Sequence, residues 1–346
     1  MSSIISGSTD FFGLDIGSSG IRLVQLRGSG ANKTLVKYSY IPLDKPLSMS
    51  DAPADLSNLA QLIKQLVSKT VLSTKNVAVG IPSSKVFTTI ADVEKLPAKE
   101  LASSITLQAD SLIPTPVAES KIDWAVIGDS PVDNTKQEII LTSVSNKYVE
   151  SRLEMLEAVG LNVVAFEPDN LAMARALVPV DDQPHLVLDI GYNSSDLVIV
   201  KSSVPRLTRN IPIGVNSIIK TAMDNLNVDQ KQATQFVFKF GLQKDKLEGQ
   251  VYQAIISAID NLMSEVEKSI KFYSGRYKDA KVQNIIVTGG ASAIPELPLF
   301  IANKFAMNVE IGNAWRNVAY SQSRQNELLA ISSQFAVAVG LAERAT

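Results

Sequence analysis

The sequence predicts an α/β protein built from two similar halves, and two observations support this. First, Leu14–Leu26 (LDIGSSGIRLVQL) and Leu188–Val200 (LDIGYNSSDLVIV) share a Leu-Asp-Ile-Gly start and a later Leu-Val, at an offset of about half the chain. Second, segments with helical spacing of apolar residues alternate with short apolar strands along the chain. Each copy of the repeat has apolar runs on both sides of a turn, which predicts a strand, a tight loop and a return strand.

The remaining elements follow in order from their apolar spacing. In the first part of the chain we predict a helix over Leu56–Val67, a strand at Asn76–Ile81, a helix over Leu101–Leu112, a strand at Glu138–Val144 and a helix from Val149 that ends at Gly160. In the second part we predict a long helix over Val251–Tyr273, a strand entering a glycine turn at Ile285–Ser292, a helix with Pro295 in its first turn and a last helix over Leu328–Val339. Apolar stripes of this kind predict a core rather than a ligand site.

Composition restricts the class of function. The 346 residues are enough for two domains or two halves with separate cores, and the net charge of −2 gives no electrostatic footprint for nucleic acid. No apolar run approaches the roughly 20 residues of a membrane span, and the start MSSIISGSTD does not resemble a secretory signal. The chain has no Cys and a single His, His185, which excludes disulfides, thiol catalysis and multi-histidine metal sites.

The acidic residue of each repeat, Asp15 and Asp189, follows an apolar run where desolvation of a carboxylate is costly. One explanation is an ordinary hairpin with a turn-capping Asp. The other is a pair of carboxylates that face each other across an interdomain cleft and bind a hydrated Mg²⁺, while backbone N–H groups of the turns Gly17–Gly20 and Gly191–Ser194 bind phosphate. The chain has no GxxxxGK[ST] motif, which excludes a P-loop nucleotide-hydrolysing enzyme.

Taken in order, these motifs resemble the ATPase fold shared by actin, the heat-shock chaperones and the sugar kinases, and within it the PilM family of type IV pilus assembly. The matching segments are Phe12–Leu26 and Asp189–Val200 for the two phosphate segments, Ile286–Pro295 for the adenosine segment, Glu167–Ala176 and Gln334–Leu341 for the two connecting helices, and Ser111–Trp124 for a subdomain that PilM shares with the division protein FtsA. The resemblance implies an α/β fold of duplicated actin-like, ribonuclease H-like halves around a nucleotide cleft, with an FtsA/PilM-type inserted subdomain.

The resemblance also implies a division of the chain. The expected parts are a flexible tail at 1–9, a first half formed by 10–83, 166–184 and 334–346, an inserted subdomain at 84–165, a second half formed by 185–213 and 279–333, and a helical subdomain of that second half at 214–278. The inserted subdomain also stands apart by sequence, because it does not belong to the repeat.

ATP and Mg²⁺ are the cofactors that the resemblance implies. Asp15 and Asp189 would bind the metal through water, Lys239 would contact the nucleoside, and Glu167 would orient the attacking water. The other site residues carried over are Gly17, Ser18, Ser19, Gly191 and Asn193 around the phosphates and Gly289, Gly290 and Ser292 beside the adenosine. Two alternatives stay open: Glu167 as an acid favoured by a helix dipole, and Lys239 as an exposed helix lysine.

Two departures from the family pattern bear on turnover. Val215 and Ile219 stand where the family commonly has Gly-Gly and a Thr, and Ala233-Thr234 stands where it has Ala-Glu. The second change removes a carboxylate expected near the ribose. We therefore expect a protein that binds ATP and has weak or no ATPase activity.

The function that the resemblance implies is a cytoplasmic scaffold of the pilus inner-membrane complex, held at the inner face of the cytoplasmic membrane through partner proteins. It would bind the cytoplasmic N-terminal peptide of a PilN-like membrane protein in a groove between the inserted subdomain and the first half; homo-oligomers are compatible with this role, and neither nucleic acid nor direct membrane insertion is expected. Candidate groove residues are Phe87, Ile90, Ile113 and Val117, with core packing as the alternative for each.

Two other functions are consistent with the same fold. An FtsA-like cytoskeletal or division filament would carry an amphipathic tail, whereas this sequence stops at Gly340–Thr346, directly after the last connecting segment. A small-molecule kinase would need a carboxylate base beside the substrate hydroxyl. Asp92 and Asp123 are available, but both fall in the inserted segment, away from the expected phosphates.

Overall fold

The computed structural model of the chain describes residues 10–28, 30, 33–43, 47–278 and 280–345. The tail predicted at 1–9 lies outside the described residues. The chain divides into two compact units, one formed by Met1–Pro82, Lys147–Ala176 and Asn313–Thr346 and the other by Ser83–Asn146 and Leu177–Gly312. Within the described part of the chain, no helix has both the length and the apolar character needed to cross a lipid bilayer.

The regular elements are numbered along the chain. The strands are β1 (Phe12–Ile16), β2 (Gly20–Arg27), β3 (Lys33–Pro42), β4 (Asn76–Ile81), β5 (Val86–Glu94), β6 (Ser120–Asp129), β7 (Lys136–Ser145), β8 (Asn162–Pro168), β9 (His185–Ile190), β10 (Ser195–Lys201), β11 (Val204–Ile211), β12 (Asn284–Thr288), β13 (Asn308–Ile311) and β14 (Val318–Ala319). The α-helices are α1 (Pro53–Thr70), α2 (Ala98–Leu112), α3 (Asn146–Ala158), α4 (Asp169–Leu177), α5 (Val215–Leu226), α6 (Gln230–Phe240), α7 (Gln250–Arg276), α8 (Leu297–Phe305) and α9 (Gln325–Ala342).

The first unit is organised around one mixed sheet with the strand order β14-β3-β2-β1-β4-β8. Strands β1, β2 and β3 form an antiparallel meander, and β4 and β8 then add in parallel. All five residues of β1 are buried, and Phe12 and Leu14 pack with Ile63 of α1 in the core of this unit. Strands buried on both faces read as continuous apolar runs, which explains why β1 does not alternate with polar residues.

The second unit repeats this topology. Its main sheet has the order β11-β10-β9-β12-β13, with β9, β10 and β11 antiparallel and β12 and β13 added in parallel. The core of this unit joins the β9 and β10 residues Leu188 and Leu197 to Ile255 and Ile259 of the long helix α7. The duplication predicted from the repeat is therefore confirmed at the level of strand order and direction.

The second unit also contains a smaller antiparallel sheet with the order β5-β7-β6, which we call the inserted sheet. It packs on α2 around its own small core, which includes Ile105, Ile113, Ile139 and Leu141. Two of the candidate groove residues lie in this core or against it: Ile113 is buried in it and Val117 is packed on it. Phe87 remains 38% exposed.

One local prediction is wrong. Pro295 does not lie in the first turn of a helix, because α8 begins at Leu297 and Pro298 is the proline near its start. A proline disfavours the helical conformation in the residue before it. Ile294 accordingly adopts φ −69° and ψ 122°, which ends the short 3₁₀ turn Gly290–Ala293 in extended backbone.

Candidate functional site

The first hairpin presents a tight turn at the carboxyl end of β1. The N–H of Gly17 donates to the carbonyl oxygen of Gly20 at 3.0 Å, which closes the turn around Ser18 and Ser19. Asp15 and Arg22 stand directly opposite each other in the antiparallel register of β1 and β2. Four of the sequence-predicted residues, Asp15, Gly17, Ser18 and Ser19, are thus brought together here.

Arg22 places a cation beside the acidic residue of this hairpin. Its Nη1 lies 3.3 Å from Asp15 Oδ2 and 3.3 Å from the carbonyl oxygen of Gly20, and its Nη2 lies 3.4 Å from Ser19 Oγ. Both side chains are nearly buried. Burial raises the pKa of Asp15, while the Arg22 guanidinium acts in the opposite direction. A buried carboxylate therefore has a matching cation beside the turn.

The second hairpin has the same turn but a different neighbour for its acid. The N–H of Gly191 donates to the carbonyl oxygen of Ser194 at 3.0 Å, as in the first hairpin. Asp189, however, stands opposite Asp196 of β10 rather than opposite an arginine. Asn210 Nδ2 of β11 donates to Asp196 Oδ1 at 2.8 Å, and burial raises the pKa of Asp196 to about 6. Asp189, Gly191 and half-buried Asn193 thus lie on one hairpin.

A third turn follows β12 and packs against the second hairpin. Gly289 has φ +81°, a conformation that favours glycine, and a Cβ on it would lie 2.6 Å from the carbonyl oxygen of Ile190. Ser292 Oγ donates to the Gly289 carbonyl oxygen at 2.7 Å, so this hydroxyl holds the turn. The Cβ position of Gly290 has no atom within 4 Å. The turn predicted beside the adenosine is therefore adjacent to the hairpin of Asp189.

Lys239 lies exposed in the last turn of α6, with its Nζ 5.3 Å from the ring centroid of Phe240. The end of α6 reaches the third turn, because Leu242 N–H donates to the Pro295 carbonyl oxygen at 3.0 Å. A groove of about 770 Å³ lies beside the lysine. Its lining residues are Gln235, Phe236, Phe238, Lys239, Phe240 and Leu247.

Glu167 is held in the first unit by two arginines. It lies on β8, is 5% exposed, and pairs with both terminal nitrogens of Arg175 on α4. Arg344 Nη1 lies 3.1 Å from Glu167 Oε2. Arg175 Nη1 also donates to the carbonyl oxygen of Gly340 in α9 at 2.7 Å. The carboxylate therefore links α4 to the end of α9, and its two oxygens face guanidinium groups.

The contact between α4 and α9 depends on a glycine. A Cβ on Gly340 would collide with the backbone of Ala172 in α4, so only glycine permits this approach. Lys33 Nζ donates to the carbonyl oxygens of Ala342 and Arg344 at 3.1 and 3.0 Å, which places a cation at the end of α9. Burial raises the pKa of the neighbouring Glu343 to about 7.

Sequence reasoning missed the partners of the acids. Arg22 carried a usable signal, because it follows the turn at the position that an antiparallel hairpin sets opposite Asp15. Asp196 occupies the same position in the second hairpin. Arg175 lies eight residues after Glu167 on the helix that follows it, so it was within the same motif, but its role as a partner was missed. Arg344 gave no signal, since it lies 177 residues further along the chain.

Taken separately, each unit has a glycine turn beside an acidic residue, and neither unit alone defines a complete metal site among its described residues. In the first unit the Arg22 guanidinium beside the Gly17 turn, and in the second unit the Gly191 turn and the open position at Gly290, are features that suit an anion close to backbone. Mg²⁺ prefers oxygen ligands and keeps several waters. Asp15 and Asp189 supply such carboxylates, one in each unit. No group of three or more His, Cys, Asp or Glu side chains among the described residues is arranged to bind a metal ion.

Comparison with solved structures agrees with this architecture. The chain is similar to a PilM–PilN type IV pilus biogenesis complex at 25% identity, with a TM-score of 0.83 over 97% of this chain and 98% of that chain. It also resembles the ethanolamine utilization protein EutJ from Carboxydothermus hydrogenoformans (15% identity, TM-score 0.57, 97% and 90% of the two chains). A third match is MreB5 of Spiroplasma citri bound to ADP (14% identity, TM-score 0.56, 96% and 95%).

The duplicated sheets, the paired hairpins and these neighbours define an actin-like protein, which confirms the predicted fold class. The model of the family "Type IV pilus assembly protein PilM" matches residues 13–346. The chain belongs to this PilM family.

Proposed function

We propose that this protein is a scaffold of type IV pilus assembly that binds the cytoplasmic N-terminal peptide of a PilN-like membrane protein. The observation that carries the proposal is the similarity to a PilM–PilN complex over nearly the whole of both chains. Through that partner the protein would be held at the cytoplasmic face of the inner membrane. The inserted sheet is the part of the chain that we assign to peptide binding, and Phe87 and Ile90 on β5 are the candidates that lie outside its core under α2.

We propose that the protein also binds Mg²⁺–ATP through its two hairpins. Asp15 and Asp189 would interact with the hydrated metal, and the turns at Gly17–Ser19 and Gly191–Asn193 would bind the phosphates. The third turn at Gly289–Ser292, with Lys239, would lie beside the nucleoside. Binding of ADP by MreB5, a protein of the same fold, supports this assignment. The chemistry that the metal supplies is neutralisation of phosphate charge.

We propose that bound ATP is hydrolysed slowly or not at all. A carboxylate that orients an attacking water needs an acceptor position directed at that water, and three arginine N–H contacts occupy most of the roughly four acceptor positions of Glu167. Both oxygens of Glu167 interact with arginines, one with Arg175 and the other with Arg175 and Arg344. The alternative to a catalytic role is therefore an anchoring role, in which Glu167 fastens α4 to the end of α9.

The first test is a titration of the purified protein with a labelled peptide copied from the N-terminus of the PilN-like protein of the same genome. It is run with and without Mg²⁺–ATP, and a scrambled peptide is the control. Saturable binding that is lost on scrambling supports the scaffold function. If neither condition gives binding to a folded protein, the proposed partner is wrong.

Nucleotide binding needs a separate test. The affinity for a fluorescent ATP analogue is measured with Mg²⁺ for the unmodified protein and for Asp15→Asn and Asp189→Asn. We expect weaker binding in both variants. Asp15→Asn should also lower the midpoint of thermal unfolding, because it leaves the nearly buried Arg22 without its counter-ion, so affinities are compared at a temperature at which all three proteins are folded. Equal affinities in all three proteins would show that neither carboxylate takes part in nucleotide binding.

A further inference from the structure

A fully buried carboxylate stands at the side of the inserted sheet that faces away from α2. Ile139 and Leu141 of β7 point into the core under α2, so Glu138, which precedes them, points to the opposite face. Glu138 is 0% exposed and lies directly opposite Asp92 of β5. Two like charges in a direct cross-strand pair are unfavourable unless cations balance them.

The balancing cations come from the other part of the same unit. Arg276, the last residue of α7, places Nη2 2.7 Å from Asp92 Oδ1 and 2.6 Å from Glu138 Oε1. Arg206 of β11 places Nη1 2.7 Å from Glu138 Oε2, and the Tyr277 hydroxyl donates to Glu138 Oε1 at 2.9 Å. We call these five residues the Glu138 cluster. Its two carboxylates and two guanidinium groups balance in charge.

An irregularity in strand β11 directs the side chain of Arg206 towards this cluster. The register of β10 and β11 shifts between Ile199 and Val200, which pair with Leu207 and Pro205. Arg206 lies between those two residues, and among the described residues of β10 it has no register partner. A bulge of this kind re-aims a side chain, here towards Glu138.

The same strand leads to the nucleotide hairpin. Asn210 lies four residues beyond Arg206, about 13 Å along the strand at roughly 3.3 Å per residue. Its side chain donates to Asp196, which stands opposite Asp189. Strand β11 therefore contacts the inserted sheet through Arg206 and, through Asn210, contacts Asp196, the residue opposite Asp189.

We propose that the Glu138 cluster fastens the inserted sheet to the second half, so that both move as one body, and that it carries the coupling between peptide binding and nucleotide binding. The proposal rests on the proposed function, because it names how that function is regulated. Breaking a buried ion pair leaves the remaining charge without compensation, so loss of one arginine loosens the attachment. Binding at one site then no longer changes the affinity at the other site, because coupling requires a shared element with two states for which each ligand has a different affinity.

The coupling is measured as the ratio of peptide dissociation constants without and with saturating Mg²⁺–ATP. We expect a ratio that differs from one by at least about fivefold in the unmodified protein, the lower end of ordinary coupling. In Arg206→Gln this ratio falls to within about twofold of one, while the affinity for peptide alone changes little. Arg209→Gln is the matched control, because Arg209 lies on the same strand and is 40% exposed, but pairs with Glu265 at 2.6 Å outside the Glu138 cluster.

The outcomes separate the inference from the function on which it rests. Absence of peptide or nucleotide binding by the unmodified protein contradicts the proposed function. Binding of both ligands with a ratio of one, or an unchanged ratio in folded Arg206→Gln, contradicts the coupling. Asp92→Asn, at the partly exposed rim of the cluster, replaces Arg206→Gln if that variant does not fold.

A second measurement tests the attachment without any ligand. The chain has no Cys, so spin labels at Leu107→Cys and Phe272→Cys report only the distance between α2 and α7, and both positions are well exposed. We expect a single narrow distance distribution in the otherwise unmodified protein and in Arg209→Gln, and a broadened one in Arg206→Gln. A narrow distribution in Arg206→Gln would overturn the proposal that the cluster holds the inserted sheet in place.

Discussion

The two roles considered for Glu167, anchoring and catalytic, predict different effects of the same substitution. Glu167→Gln keeps the size of the side chain and removes its charge. In the anchoring role this substitution leaves Arg175 and Arg344 without their shared counter-ion, so α9 is held less firmly to α4 and the protein is destabilised. In the catalytic role it would abolish turnover and leave stability nearly unchanged.

The magnitude of the stability effect follows from burial. Glu167 is almost inaccessible, whereas the side chains of Arg175 and Arg344 are 34% and 41% exposed. Removing one partner of a fully buried pair costs about 3–5 kcal/mol, and solvent at the two arginines reduces this to about 2–3 kcal/mol. At roughly 2–4 °C per kcal/mol, the midpoint of thermal unfolding falls by about 5–10 °C.

Thermal unfolding and ATP turnover are measured on the same preparations. Glu154→Gln on α3 is the control, because Glu154 is exposed and its loss is expected to leave both quantities unchanged. The anchoring role predicts a lower midpoint for Glu167→Gln and a turnover that is low in all three proteins. Substantial turnover in the unmodified protein that disappears in a fully stable Glu167→Gln variant would refute the reasoning.

Three further substitutions test other parts of the site. Arg22→Gln should weaken Mg²⁺–ATP binding by about 10–100-fold, the value of a charge-assisted hydrogen bond of about 1.5–3 kcal/mol, whereas Arg27→Gln at the exposed end of the same strand should not; equal affinities would exclude Arg22 from the site. Gly340→Ala should destabilise by more than about 2 kcal/mol because its Cβ meets backbone, whereas Gly275→Ala in open space near the end of α7 should stabilise by up to about 1 kcal/mol; chemical denaturation compares the two, and a neutral Gly340→Ala would contradict the close helix contact. Burial raises the pKa of Glu343 in the folded state, so the stability that this protonated side chain supports is fully present below about pH 4.5 and is lost as the pH rises through about 7. Glu343→Gln should therefore raise the free energy of unfolding by about 2 kcal/mol at pH 8 and hardly at pH 4. A gain independent of pH would contradict the burial of this group.

The repeat predicted more of the fold than any single motif did. Because Leu-Asp-Ile-Gly recurs with a return strand, two sheets of the same connectivity could be expected, and both have this connectivity. Apolar spacing also located β4 at Asn76–Ile81 to the residue and α7 to within a few residues. The spacing of apolar residues reflects which side chains are buried, and both β4 and α7 bury a continuous apolar face or run.

The partners of charged groups could not be predicted in the same way. Glu138 reads as a polar residue at the start of an apolar strand, and its burial depends on Arg206 and Arg276, which lie 68 and 138 residues further along the chain. Pairing over such separations is set by packing between elements, and no local pattern in the sequence carries it. The motif that contains Glu167 also contains Arg175, but its second arginine, Arg344, lies 177 residues further along the chain, so the motif alone could not identify a carboxylate bound to two arginines.

The two hairpins show how a duplicated motif can acquire different chemical roles. The turn and the first acid are the same in both, but the residue opposite the acid is Arg22 in one and Asp196 in the other. Asp15 is therefore compensated by a cation in its own hairpin, so a bound metal–phosphate group must supply a cation to Asp15 and an anion to Arg22. Asp189 stands opposite a second carboxylate, Asp196, whose pKa burial raises to about 6, so this cross-strand pair of acids itself attracts positive charge. We therefore expect Asp189→Asn to weaken the dependence of ATP binding on Mg²⁺ more than Asp15→Asn does. Titration of Mg²⁺ at fixed ATP measures this difference, and equal shifts in the two variants would show that Arg22 does not compete with the metal.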